Sequence, residues 1–255
     1  MYRLYPTTKQ AEQLIWILDR CRELYNAALE ERREAYRMAG KSLKRSCGKW
    51  YVTLTCEAAA LPLPQTGESV GLDLGLADFL VTETGAKVAN PRPLRHAAAG
   101  LTRAQQALSR QKRGSQRRRK QRLRVAKQHR KVANVRRDFH HKTARALVQR
   151  YDTIRHGRLA VRNMVQNHCL AESIGDAAWA PFIAILTAKA AEAGRVTIAV
   201  NPRNASQTCV CGEPVPKDLG DRWHVCHRCQ LSLPRDQVSA MIIKGIGLSL
   251  QAHAA

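Results

Sequence analysis

Along residues 8 to 38 the apolar side chains Ala11, Leu14, Ile15, Leu18, Cys21, Tyr25, Ala28 and Leu29 recur at steps of three and four. That is the period of one buried helix face, and Thr7 or Thr8 is placed to cap it. The period changes in Lys49-Trp50-Tyr51-Val52-Thr53-Leu54-Thr55, where β-branched and aromatic residues predict a strand. Ala58 to Gly67 holds Pro62 and Pro64 and reads as a loop. A meander follows: Val70 to Gly75, Asp78 to Thr82, a turn at Glu83-Thr84-Gly85, and Lys87 to Ala89. Leu101, Ala104 and Leu108 predict one helix, and Leu123, Val125, Ala126, Val132, Val135, Phe139, Ala144 and Leu147 a second, with the break at Gly114-Ser115. Beyond them the pattern predicts a short strand within Tyr151 to Val161, an Ala-rich helix over Ala177 to Ala193 and a strand over Arg195 to Val200. An irregular Cys-bearing loop then runs from Asn201 to Pro234, and a last helix spans Asp236 to Leu250.

Charge changes the meaning of the two middle helices. The 255 residues carry 43 Lys and Arg against 20 Asp and Glu, a formal net charge of +23. From Pro91 to Arg150 the only acid is Asp138. A solvated helix face mixes both signs, so a face this one-sided points to a polyanion. The candidate nucleic-acid contacts are Arg113, Arg117, Arg118, Arg119, Lys120, Arg122, Arg124, Lys127, Arg130, Lys131, Arg136 and Arg137. The 44% hydrophobic content is enough for a real core. The reading expects no segment of about 18 apolar residues to span a membrane. The start, MYRLYPTTKQ, lacks the apolar core of a signal peptide, so a cytoplasmic, nucleoid-associated location is expected.

Four of the eight cysteines crowd between Cys209 and Cys229. Cys209-x-Cys211 and Cys226-x-x-Cys229 supply four thiolates for one tetrahedral zinc, the separation suiting a small ribbon with each pair on a turn. The first pair is one residue tighter than two convergent sulfurs usually need, with His224 or His227 as alternative ligands, so partial zinc occupancy is expected. Asp73 interrupts the apolar run Gly71-Leu72-Asp73-Leu74-Gly75, where a carboxylate is costly without a partner or a metal. Asp236 follows Pro234-Arg235 at the start of the last helix, where an acid also serves as an N-cap. Two-metal phosphodiester hydrolysis needs a third convergent carboxylate beside such a pair.

These motifs occur in an order that resembles one family. They are Tyr2-Arg3-Leu4-Tyr5-Pro6, Cys21-Arg22, Tyr25 to Leu29, Gly48-Lys49-Trp50-Tyr51 and Gly71 to Leu76. Asn134 to His141, Tyr151-Asp152-Thr153-Ile154, Asn163 to Asn167 and Leu170 to Trp179 follow, and Ser206 to Cys209 and Arg235-Asp236 close the series. The chain resembles the transposon-encoded TnpB (OrfB) proteins, RNA-guided DNA endonucleases related to the type V CRISPR effectors. The resemblance implies an α/β fold: a RuvC-like RNase H core with an Arg-rich helical insertion, a zinc-ribbon-like insertion and a truncated N-terminal helical/β segment. The implied division is 1–67 for the N-terminal segment, 68–204 with 233–255 for the core, and 205–232 for the ribbon.

By the same resemblance, the catalytic carboxylates are Asp73 and Asp236, a guide RNA from the element's own transcript and double-stranded target DNA are the partners, and Mg²⁺ is the metal of cleavage. The family's central Glu falls on Gly157, with Arg158 where a neighbouring Asp is usual, so the central carboxylate position is vacant and Asp73 with Asp236 is expected to hold Mg²⁺ weakly. Arg158 is expected to bring positive charge towards the metal. Glu172 and Asp176 are the acids considered as substitutes, but each lies well past the strand end, in a segment that matches the family without a shift of register. The family also has a longer stretch before Gly48-Lys49-Trp50-Tyr51, which removes most of its recognition lobe here. The expected function is a transposon-associated DNA- and RNA-binding protein with impaired or lost cleavage. The alternatives are an active endonuclease using a substitute acid and a nuclease-dead RNA-guided repressor.

Overall fold

The fold follows from a computed structural model that describes Thr7, Thr8, Glu12, Trp16, Asp19, Arg20, Glu23 and residues 62–252 apart from Arg203 and Leu219. The expected strand at 49–55, the motifs Tyr2 to Pro6 and Gly48 to Tyr51, and most of the N-terminal segment lie outside the described residues. Thr8, Glu12, Trp16, Asp19, Arg20 and Glu23 are helical. There Arg20 pairs with Glu23 at 2.8 Å and lies over the Trp16 ring at 5.6 Å, as residues three and four apart on one helix face do.

The chain divides into two compact units, Met1–Glu57 and Ala58–Ala255. Residues 62–67 are tied to the larger unit by Asp152, which accepts from the Thr66 and Gly67 backbone N–H groups, and by Arg195, which donates to Asp152 and to the Pro64 carbonyl. Thr66 N–H, burial and Gly67 N–H act on the Asp152 carboxyl, and the net effect holds it below the usual carboxylate range.

The larger unit is built on a five-stranded mixed sheet in the order β3-β2-β1-β4-β5. Its strands are β1 (Ser69–Leu74), β2 (Asp78–Thr82), β3 (Lys87–Ala89), β4 (Thr153–Gly157) and β5 (Val196–Val200). The first three form the expected antiparallel meander, and β4 and β5 run parallel to β1. Between β3 and β4 come α1 (Pro93–Ser109) and α2 (Gln116–Arg150). Their break falls at Gly114, φ 84°, with Ser115 capping α2 by accepting from Arg118 N–H. Next come α3 (Val161–Met164), α4 (His168–Ala177) and α5 (Trp179–Glu192). A two-stranded ribbon, β6 (Trp223–Val225) with β7 (Ser232–Pro234), leads without a linker into α6 (Arg235–Ala252).

The two faces of the sheet carry different cargo. Val70, Leu72 and Ile154 face α2 and α5, where Ala144, Leu147, Trp179, Phe182 and Leu186 complete the main core. The other face receives α6, with Ile243 packed against Val200 and Ile198. Gly71 makes that seating possible, because a Cβ there would overlap the Ala240 carbonyl oxygen and meet the Lys244 Cβ at 2.7 Å. Lys244 then reaches Glu83 at 2.6 Å and the Ser69 carbonyl at 2.9 Å, while Glu83 accepts from Gly71 N–H.

Two expectations need correction. The 35-residue α2 is about 50 Å long at about 1.5 Å per residue. Its apolar stripe packs only where it meets α1 and the sheet, so Val132, Ala144 and Leu147 are buried while Leu123 and Val135 are exposed. Contrary to expectation, His168–Glu192 is also long and apolar enough to cross a membrane, with mean hydropathy 1.4. Ala178, at φ 51°, breaks that stretch into α4 and α5, and Trp179, Phe182, Leu186 and Ala190 are spent on the core.

Candidate functional site

Asp73 and Asp236 meet at the sheet's α6 face, one near the end of β1 and the other in the first turn of α6. Burial, reinforced by the nearby Asp236 carboxylate, pushes the Asp73 carboxyl up to about 7, with Arg235 and the Leu74 N–H opposing the rise. Arg235 is held by the ribbon: its guanidinium donates to the carbonyls of Asp218 and Asp221 at 3.0 and 3.2 Å, and its N–H to the Arg222 carbonyl. The ribbon therefore aims the cation that faces the acid pair, a residue the sequence reading assigned no role.

Gly157 stands beside this pair. The β1–β4 register runs from Ser69↔Thr153 to Leu72↔His156, so Asp73 and Gly157 are the residues that follow the last pair on their two strands. Gly71, Asp73, Arg155 and Gly157 thus share the α6 face, and Ile243 of α6 lies 3.7 Å from where a Gly157 Cβ would be. The same Cβ would meet the Pro202 Cβ at 3.1 Å. The position is thus without a side chain and also crowded from β5's exit. Next to it, Arg158 is exposed and its N–H bonds the Val200 carbonyl. Among the described residues, Arg235 is the cation that acts on the Asp73 carboxyl.

Neither substitute acid joins Asp73. Asp176 accepts from Leu94 N–H at 3.0 Å, from Arg95 N–H at 3.3 Å and from Arg136 at 2.9 Å. It caps α1 across the fold, where α1's own N-cap residue, Arg92, offers no side-chain acceptor. Glu172 is exposed on α4 in a cleft with Arg92, Arg95 and Arg222. Two carboxylates suit a single divalent ion and do not make the two-ion arrangement of phosphodiester hydrolysis.

The four cysteine sulfurs do converge. Cys209 and Cys229 are 3.5 Å apart, Cys211 and Cys226 are 3.7 Å apart, and all four lie within 4.8 Å of one another. A tetrahedral zinc with Zn–S of about 2.3 Å needs sulfurs about 3.8 Å apart, so this set fits the ion. The tight first pair is accommodated because Gly212, at φ 86°, turns the chain so that its N–H reaches the Cys209 carbonyl while Cys209 N–H reaches that of Glu213. Backbone N–H groups of Cys229 and Arg228 draw the Cys226 thiol down to about 6, whereas burial pushes Cys209 up to about 12. The histidine alternatives stay out of the cluster: His224 is buried in β6 and His227 is exposed.

The basic helices present Arg113, Arg117, Arg119, Lys120, Arg122, Arg124, Lys127, Lys131 and Arg137 to solvent. Among the nominated contacts, some are tied within the protein. Arg118 donates to the Leu108 and Gln111 carbonyls, closing the end of α1, and Arg136 pairs with Asp176.

Comparison with known proteins adds the following. The OrfB_IS605 family model, a probable transposase, matches residues 52–168, a Cas12f1-like TNB domain matches 179–243, and a helix-turn-helix domain of the OrfB type matches 1–41. A putative RNA-guided DNA endonuclease of Streptomyces pristinaespiralis is 36% identical over 208 residues, covering 80% of this chain and 52% of that protein. The putative RNA-guided DNA endonuclease InsQ of Escherichia coli K12 is 27% identical over 188 residues, covering 67% of this chain and 47% of InsQ. The chain thus spans about half the length of these relatives. In fold it is similar to a chain of the Cas12f1-sgRNA-target DNA complex solved by cryo-EM, with TM-score 0.50 and 14% identity over 72% of this chain and 51% of that one.

Proposed function

The chain belongs to the TnpB (OrfB) family of transposon-encoded proteins, and from that premise we propose that it binds RNA and DNA on a RuvC-like RNase H core that no longer cleaves. The 3-2-1-4-5 mixed sheet, with its antiparallel meander and two parallel strands, supports the RuvC-like reading. The partners proposed are a guide RNA and a double-stranded DNA target, on the names of the relatives and of the structural neighbour. Zinc at the cysteine cluster holds the ribbon, and the ribbon positions Arg235 against Asp73 and Asp236.

One observation supports the loss of cleavage: Gly157, which follows the last β1–β4 pair on its strand as Asp73 does on β1, has no side chain to offer as a ligand. A two-ion centre stabilises the attacking and leaving oxygens together, and a pair of acids leaves that clamp incomplete. The exposed cations of α2 supply affinity through counterion release, largely without regard to sequence.

The test is twofold. Incubation with guide RNA, matching DNA and Mg²⁺ or Mn²⁺ is expected to give no cut product from the wild type, and product that disappears on Asp73→Ala would overturn the reading. Binding is expected to weaken steeply with salt. Replacing Arg117, Arg119, Lys120 and Arg122 by Gln should flatten that dependence by up to about four counterions while Arg118 keeps the hairpin closed.

A further inference from the structure

We propose that the groove between α1 and α2 is a binding site for one unpaired nucleotide of a single-stranded nucleic acid. The proposal rests on the reading of this hairpin as a polyanion surface and adds to it a pocket that separates single strand from duplex.

The groove has a volume of about 550 Å³. Leu101 and Ala104 pack α1 tightly against α2. One turn earlier the contact opens, because Gly100 presents no side chain and the nearest atom its Cβ would meet is the Gln128 Oε1, 3.7 Å away. Pro93 and Ala97 form the rest of that wall, and Val132 and Val135 form the other. Val132 is covered, whereas Val135, three residues further along α2, is 47% exposed to the opening. This is smooth aliphatic surface of the kind that meets the flat face of a base.

The rim has the opposite chemistry. His96, Arg103 and Lys131 stand exposed around the groove, and no carboxylate lines it. Indeed residues 84–137 contain no Asp or Glu. A protein segment would find no acceptors for its own basic groups here, whereas a phosphodiester strand finds cations on both sides of an apolar slot. Bases within a duplex are stacked and paired, so only an unpaired one can leave its neighbours and enter.

Gly100→Leu fills the slot without changing the charge. It replaces a mid-helix glycine by a better helix former, so the variant is expected to fold at least as well as wild type. The probe is a short single strand carrying one central 2-aminopurine, made both as RNA and as DNA, with its full duplex as control. Wild type is expected to prefer the single strand by about fivefold or more, as burial of one base face against aliphatic side chains gives, and to raise the 2-aminopurine emission as the base leaves its stack. Gly100→Leu should lose both effects while keeping wild-type duplex affinity and salt dependence. A response from RNA alone, DNA alone or both supports the site and identifies the strand it takes. Unchanged preference and emission in Gly100→Leu would overturn the groove and leave the charged surface standing. Absence of binding to every probe by wild type would instead overturn the polyanion reading, and the groove with it.

Discussion

The cysteine cluster and, on the reading proposed above, the acid pair each depart in sequence from what a metal needs, yet the cysteine sulfurs still converge in space. At the cysteines one residue is missing between the ligands of the first pair, and the sulfurs still converge because Gly212 lets the turn adjust. At the acids, on that reading, a third carboxylate is missing from a strand whose register is fixed on both sides, by β1 and by β5. A turn can redistribute its dihedral angles to bring a ligand back, whereas a strand cannot supply a ligand from another residue without turning its whole side-chain pattern over. On the proposed reading, a metal site on turns tolerates a deletion that a site on strands does not.

The largest expected effect that tests this contrast is on the ribbon. Cys226→Ser or Cys229→Ser should reduce bound zinc from about one per chain to none and disorder residues 205 to 232, as judged by metal analysis and hydrogen exchange. Zinc well below one per chain in freshly purified wild type would show that the tight pair has cost the site after all, as the sequence alone suggested.

Next in size is the attempt to rebuild the acid site. Gly157→Glu alone is expected to destabilise the protein by roughly 1–3 kcal/mol, since its Cβ presses on Pro202. Combining it with Pro202→Gly and Arg158→Asp should recover part of that loss and tighten Mn²⁺ binding by about tenfold or more over wild type, read by calorimetry. Equal Mn²⁺ affinity in the two proteins would mean that the third carboxylate was not what the site lacked.

A smaller effect concerns Asp73 itself. Its folded carboxyl titrates near 7, above the ordinary range, so the folded state holds a proton that the unfolded chain releases. Stability from this group is therefore present at low pH and lost as pH rises towards 7. Asp73→Asn should leave the melting temperature unchanged near pH 4 and raise it at pH 8, in buffer without added divalent metal. A stabilisation of the same size at both pH values would show that packing, and not charge, made the aspartate costly.

The smallest effect is expected at Arg155, a buried guanidinium on the same strand whose Nε and Nη1 find no hydrogen-bond partner. Burial lowers its pKa, with Glu83 opposing the shift. Arg155→Leu should gain about 1 kcal/mol in denaturant unfolding, by removing unsatisfied donors from an apolar interface. A loss would mean that its bond to Gln251 matters more than the unpaired atoms.

Much of this protein is written locally. The meander, the two helices broken at Gly114, the strand that ends at Gly157 and the last helix all follow from side-chain period and turn residues, which act over a few positions. Other features depend on residues far apart in the chain meeting in space. Asp176 reads as a spare catalytic acid until the fold brings it to the N–H groups of Leu94 and Arg95, where a helix end needs an acceptor. Arg118 and Arg136 read as phosphate contacts until carbonyls and a carboxylate claim them. Arg235 gains its place beside Asp73 from ribbon carbonyls 14 and 17 residues earlier. Pattern along the chain decided which elements form, and the pairing of buried polar groups, which must be satisfied wherever folding puts them, decided what the individual side chains do.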